Sequence, residues 1–394
     1  GSLGANMRGI SPEVVAKDIT IASALATTPS AIHLQEIRLG INLGEYLLSR
    51  DALASSWVTL VGAKLSIIRK PDGEFVVEGL KAGGGQPLWL LQGRKYEVLQ
   101  SQITWQDQQI GGAPIVLGSV NVAVMNNGKH HHVHLLAQLP MKTGDGLRGV
   151  IDFEGGADKP EEIKGTVFFE GQRLNLQDLV SAYLPSDLSI TTGSADLKVW
   201  GQWQQAKLVS VKAEAQINQA IFAKKAKGTF AIGHLDTQFN WQEKDKQWQL
   251  DINRFLLESA GANTKANRKW PDAIVSVAGE DTAEKGFQKL KLVAKQLDLA
   301  ETSRLIGFFV PLSQEQAQTV GQAQMKGLLR DFSLYAEPET LSFAVAGWFE
   351  ALGAEPVLSA PGIENLSGRV KGSDKLGVIE LAAQAFHLKA PQLF

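Results

Sequence analysis

The chain of 394 residues contains no cysteine, which removes disulfides, thiolate nucleophiles and cysteine-ligated metals from consideration. It has little net charge: 39 basic against 41 acidic residues leave −2 at pH 7, with the basic residues scattered singly. No electrostatic reason therefore exists to expect nucleic acid as a partner. No apolar run approaches the roughly 18 residues of a membrane-spanning helix. The start, Gly1-Ser2-Leu3-Gly4-Ala5-Asn6, resembles a cloning scar more than a signal peptide. The chain also stops abruptly at Ala390-Pro391-Gln392-Leu393-Phe394, so it reads as an excised piece of something longer. No nucleotide-binding loop and no Gly-x-Ser-x-Gly elbow is present, and Gly83-Gly84-Gly85 lacks the Lys-Ser/Thr of a phosphate loop and reads as a flexible linker.

What the chain does have is a phrase written three times: Ile41-Asn42-Leu43-Gly44-Glu45, Leu174-Asn175-Leu176-Gln177-Asp178 and Leu297-Asp298-Leu299-Ala300-Glu301. Each copy predicts the end of a strand and the start of a short helix. Asn or Asp at the N-cap accepts a first-turn N–H, and the acidic residue three positions on favours the positive end of the helix dipole. The copies lie roughly 125 to 135 residues apart, the mark of an array. They divide the chain into an N-terminal segment over 1–35 and repeated units over 36–170, 171–293 and 294–394.

Between these helices the pattern has period two. From Trp57 to Arg69 the odd positions Trp57, Val61, Ala63, Leu65 and Ile67 are mostly apolar, with Leu60 and Ile68 blurring the split. Val116, Val120, Val122 and Val124 share one face of a strand, and Val133, Leu135, Ala137 and Leu139 a face of the next. Leu197, Val199 and Trp203 follow, then Val209, Val211, Ala213, Ala215 and Ile217 with Lys212 and Glu214 opposite, and finally Leu341, Phe343, Val345 and Phe349. Pro71-Asp72-Gly73, Asn126-Asn127-Gly128, Gly144-Asp145-Gly146 and Pro361-Gly362 mark turns. The reading is a mainly β fold of roughly 20 mostly antiparallel strands with a few short helices. At about 4.8 Å per strand, one sheet of that size extends on the order of 100 Å. It must close into barrels, fold into sandwiches, or curl into a U-shaped, taco-like trough with an apolar lining. Closure is the general solution for alternating β chains, whereas a repeat that stacks in one direction favours the open trough.

The order of strand, Leu-Asn/Asp-Leu, helix and long meander, the stretch from Trp89-Leu90-Leu91 to Ile103-Thr104-Trp105-Gln106-Asp107, and Pro361-Gly362-Ile363-Glu364-Asn365-Leu366-Ser367-Gly368 resemble the AsmA-like family of Gram-negative bacteria. Within it the resemblance is to the YhdP branch, with TamB more distant, and it covers residue 36 onward. The resemblance implies a long curled β-sheet with a hydrophobic groove, held in the periplasm by an inner-membrane anchor. It also implies a non-enzymatic role as a bridge-like conduit of the cell envelope that carries phospholipid toward the outer membrane, with contact at that membrane possible. No cofactor, metal or nucleic-acid partner is expected. Exposing one acyl chain of about 16 carbons to water costs on the order of 12 kcal/mol, so an apolar path matters. The groove-lining candidates are Val120, Val122, Val124, Val133, Leu135, Leu197, Val199, Val209, Val211, Ile217, Leu341, Phe343 and Val345. The alternative is an envelope scaffold or chaperone-like protein that binds outer-membrane proteins by strand addition, as TamB-type relatives are thought to do.

Local clusters point elsewhere less strongly. His130, His132 and His134 share one strand face, and imidazoles at that spacing can chelate a divalent ion. The sequence brings no carboxylate near them, which favours a polar outer face. Asp298 with Glu301, and Glu161 with Glu162, form carboxylate pairs, but a helix start and a loop explain them better than glycoside hydrolysis. Trp200-Gly201-Gln202-Trp203 can stack sugars or bases, and more simply braces the sheet.

Overall fold

The protein is described by a computed structural model covering residues 1–22, 31–78, 92–156, 159, 162–205, 207–225, 227–245, 247–260, 268–269, 274–282, 286–310, 312–337, 339–358, 360–382 and 385–390. Gly83–Gly85, Trp89–Leu91, Glu161 and Pro391–Phe394 lie outside the described residues. Among the described residues there are 23 strands and four α-helices. The fold is mainly β and mostly antiparallel, and contacts group it into two units, Gly1–Val209 and Ser210–Phe394.

The first unit opens with β1 (Ser2–Arg8), β2 (Ser11–Ala22), β3 (Ala31–Ile41), β4 (Ser56–Val61), β5 (Lys64–Arg69) and β6 (Phe75–Val77). It continues with β7 (Lys95–Asp107), β8 (Ile115–Asn127), β9 (His130–Gln138), β10 (Gly146–Glu154), β11 (Lys164–Asn175) and β12 (Leu188–Gln204). From β7 to β12 each strand pairs antiparallel with the next. β4 and β5 form two successive parallel pairings with β7, the exception to the antiparallel rule. The hairpin between β8 and β9 closes Asn127 onto His130, with Gly128 supplying φ +60.

The second unit runs from β13 (Lys207–Lys224), which starts at the unit boundary, through β14 (Gly228–Lys244), β15 (Gln247–Ala260), β16 (Arg268–Lys269), β17 (Val275–Thr282) and β18 (Gly286–Asp298). It ends with β19 (Lys326–Glu337), β20 (Ser342–Ala354), β21 (Gly362–Ser373), β22 (Gly377–Leu381) and β23 (His387–Lys389). Among the described residues no pairing joins the first strand of either unit to its last, so neither unit closes into a barrel. That openness is consistent with a curled groove.

All three repeated phrases start helices as the sequence predicts: α1 (Leu43–Ser49), α2 (Leu176–Val180) and α3 (Leu299–Phe309). The Asn42 side chain accepts the Glu45 N–H at 3.2 Å, Asn175 that of Asp178 at 3.2 Å, and Asp298 that of Glu301 at 3.0 Å. A fourth helix, α4 (Gln314–Ala323), carries a capping box between Ser313 and Gln316. Asp298→Ala is expected to cost about 1 kcal/mol of α3 stability. Hydrogen exchange of the first-turn amides of α3 reads that loss directly, and unchanged protection would mean that packing alone holds the helix.

Bulges bend the strands. Ser119, Gln219, Asp331 and Ala351 sit inside strands with φ between 45 and 50, conformations that L-residues hold only where local bonding compensates. The compensation recurs across neighbouring strands. The N–H of Gln100 donates to Asn121 Oδ1 at 3.0 Å, that of Arg173 to Asp196 Oδ1 at 2.7 Å, and that of Ala351 to Ser367 Oγ at 2.9 Å. Each bulge re-aims the side chains beyond it.

Three sequence-based assignments change, two of them where parity shifts along a strand. Gly62, with φ +64, separates β4 from β5 and swaps parity. Leu60 therefore packs with Ala63 and Leu65, whereas Trp57 faces the other way toward Glu13. The bulge at Ser119 puts Val116 opposite Thr104, on the face away from Val120, Val122 and Val124. Leu341 lies outside β20, in the turn that precedes it, with φ +54 and 82% exposure.

Candidate functional site

Directly opposed residues on paired strands project from the same face, so the registers draw rows across each sheet. In the second unit one row is Val211, Trp241, Leu250, Val277, Leu292, Leu334 and Val345 on β13, β14, β15, β17, β18, β19 and β20. The row beside it on the opposite face is Lys212, Asn240, Asp251, Ser276, Val293, Ser333 and Ala346. One face is apolar across seven strands and the other largely polar. In the first unit a row runs Val98, Val122, Leu135, Gly149, Phe169 and Val199 from β7 to β12, and a parallel one Tyr96, Val124, Val133, Ile151 and Val167.

The candidates thus gather on two faces. Val120, Val122, Val124, Val133, Leu135, Leu197 and Val199 lie together in the first unit, Leu197 reached through Ala137, Leu147 and Gly171. Val209 shares its strand and parity with Val211 at the unit boundary. Ile217 is opposed by Leu235 and through it by Leu257, and Phe343 by Ala336. Trp241, Leu250, Leu292 and Phe169 were missed, although Trp241 and Phe169 stand in the sequence as large apolar residues amid alternation.

Burial separates a filled core from an accessible face. Every residue of the seven-strand row is partly exposed. The fully enclosed positions are few and small: Val120 at 0%, Ser55, Ser101 and Ser259 are the largest side chains below 2% exposure. The row from Val211 to Val345 is thus accessible on each of its seven strands.

At one end of the second unit that face is covered by α3. Phe308 and Phe309 meet Phe230 at 5.5 and 5.3 Å, and Phe309 meets Phe222 at 5.2 Å. Arg304 lies 5.1 Å over Phe230, pairs with Glu301 at 2.8 Å and reaches Ser259 at 3.4 Å. Lys224 donates to the carbonyl of Phe308 at 3.3 Å, and Lys227 to that of Gly307, placing cations at the negative end of the helix.

The remaining clusters resolve into structural roles. His130, His132 and His134 share the face opposite Val133, but the absence of a nearby carboxylate is overturned. Register places Asp152 across from His132, and their side chains pair, while His132 also meets His134. No group of three or more potential ligands among the described residues is arranged to hold a metal. His131 belongs to the apolar face; it is 4% exposed and bonded to Asn126 Oδ1 at 2.7 Å and the Gly155 carbonyl at 3.1 Å. Burial holds its pKa below the usual histidine value. Asp298 caps a helix and Glu301 binds Arg304, while Glu162 pairs with Lys159 at 2.7 Å. Trp200 and Trp203 point to opposite faces, Trp200 toward Phe168 at 5.3 Å.

Among the described residues no helix is long and apolar enough to cross a membrane. No curated protein and no solved structure matches the chain. The family described as YhdP protein matches residues 1–394. Matched over residues 1–394, the chain belongs to the YhdP family, which associates it with lipid transfer in general.

Proposed function

We propose that this chain is a segment of a periplasmic bridge-like lipid transfer protein, anchored in the inner membrane in its full-length form, whose apolar face shields phospholipid acyl chains on their way between inner and outer membranes. The seven-strand row from Val211 to Val345, apolar and partly exposed over a polar opposite face, carries this reading. Aliphatic contacts are non-directional, so a chain slides along such a row without being held at one point. The role requires no catalytic residue, and the YhdP family is not known for enzymatic activity.

In-cell photo-crosslinking tests it, with a photoreactive amino acid in place of Val211 and, separately, of Lys212. The expected result is phospholipid attached at Val211 and not at Lys212. Absence of lipid at Val211, Val122 and Val345 alike, in folded protein, would discard the conduit and leave the strand-addition scaffold.

A further inference from the structure

Toward the ends of β8 to β12 the apolar face of the first unit changes character in steps. The row Tyr96, Val124, Val133, Ile151 and Val167 is mainly aliphatic. The next row outward is Asn126, His131, Phe153, Gly165 and Trp203. His131 stacks on Phe153 at 4.7 Å, and the Trp203 ring lies so close over Gly165 that a Cβ there would meet it at 2.7 Å. At the strand ends charge follows: Arg94 pairs with Glu45 of α1, and Lys164, one residue past Gly165 and so from the other face, pairs with Glu154 at 3.0 Å. Aliphatic, then aromatic and amphipathic, then charged is the order met on leaving a bilayer core, where Trp and Tyr mark the boundary.

A cavity of about 1040 Å³ opens at this place, where side chains from both faces meet around the strand ends. Its size reaches the upper end of small-molecule sites. Three cations, Arg94, Lys95 and Lys164, and three carboxylates, Glu45, Asp152 and Glu154, line it. We infer that this cavity seats the headgroup of a zwitterionic phospholipid, of the phosphoethanolamine kind, whose acyl chains lie on the aliphatic rows beside it. The inference rests on the lipid-transfer reading and adds a headgroup class to it. A phosphate takes over Lys164 or Arg94 while the ammonium takes over the carboxylate that cation releases, so each exchange is matched. An anionic headgroup satisfies the cations alone and leaves Glu154 or Glu45 unpaired beside added negative charge.

The test places a photoreactive amino acid at Thr166 in the cavity wall, or at Val211, and irradiates the full chain with vesicles containing equal phosphatidylethanolamine and phosphatidylglycerol. At Thr166 the attached lipid is expected to favour phosphatidylethanolamine about threefold, the worth of one or two exposed charge pairs. Combining Glu45→Gln with Glu154→Gln, in protein whose circular dichroism is unchanged, removes or reverses that preference at Thr166. Equal attachment of both lipids, a preference untouched by the double substitution, or lipid at Val211 with none at Thr166 overturns the headgroup seat and leaves the conduit standing. Lipid at neither position overturns both.

Discussion

Val211→Asp is expected to lower lipid attachment and transfer by tenfold or more while the protein remains folded. Val211 begins the apolar row of the second unit and is partly exposed. A carboxylate there stays hydrated while the face is empty, so folding loses little. An acyl chain sliding over it must strip that water, and burying an unpaired charge costs several kcal/mol, more than the 1.4 kcal/mol that makes a factor of ten. Lys212→Asp changes the same strand on the opposite face, next to Glu214, and is expected to leave lipid attachment within about twofold, as surface charge changes are weak. Circular dichroism with quantified lipid in each variant separates the cases. Equal lipid in folded Val211→Asp protein would mean that acyl chains do not travel over this row.

That asymmetry was partly legible in the sequence, because alternation assigns residues of one strand to one face without any knowledge of neighbours. Val122 with Val124, and Val211 with Ala213, need nothing more. The helix starts were equally plain: a cap is decided within four residues, and Asn42, Asn175 and Asp298 bond as their local sequence dictates. What alternation does not carry is the point at which parity changes. Ser119 and Ala351 adopt left-handed φ without being glycine, and the groups that stabilise such bulges sit on other strands, as Ser367 does for Ala351. Val116 was misassigned for that reason. The neighbour of His132 was hidden likewise, since Asp152 lies 20 residues away and register alone brings it across. The parallel pairings of β4 and β5 with β7 depend on a crossover that no local pattern announces.

The three helix starts read alike, yet their helices do not do the same thing, and this difference has the second large expected effect. α1 buries no residue and leaves Leu48 91% exposed, whereas α3 is longer and buries Phe308 to 6%. Phe308 packs against Phe230 on the apolar face and against Phe309 at 4.9 Å, and its carbonyl accepts from Lys224. Phe308→Ala is therefore expected to destabilise the docked helix by about 3 kcal/mol, the range for removing a buried ring and leaving a cavity. Leu48→Ala, which removes a side chain already in water, should stay within about 0.5 kcal/mol. Hydrogen exchange of α3 and α1 amides reads each helix separately, which a global melt of two units does not. If Phe308→Ala shifts α3 protection no more than Leu48→Ala shifts that of α1, α3 does not dock on the sheet in solution. If it shifts by the full amount, part of the apolar face is closed by the protein's own helix, and that end of the second unit is unavailable to lipid while α3 stays docked.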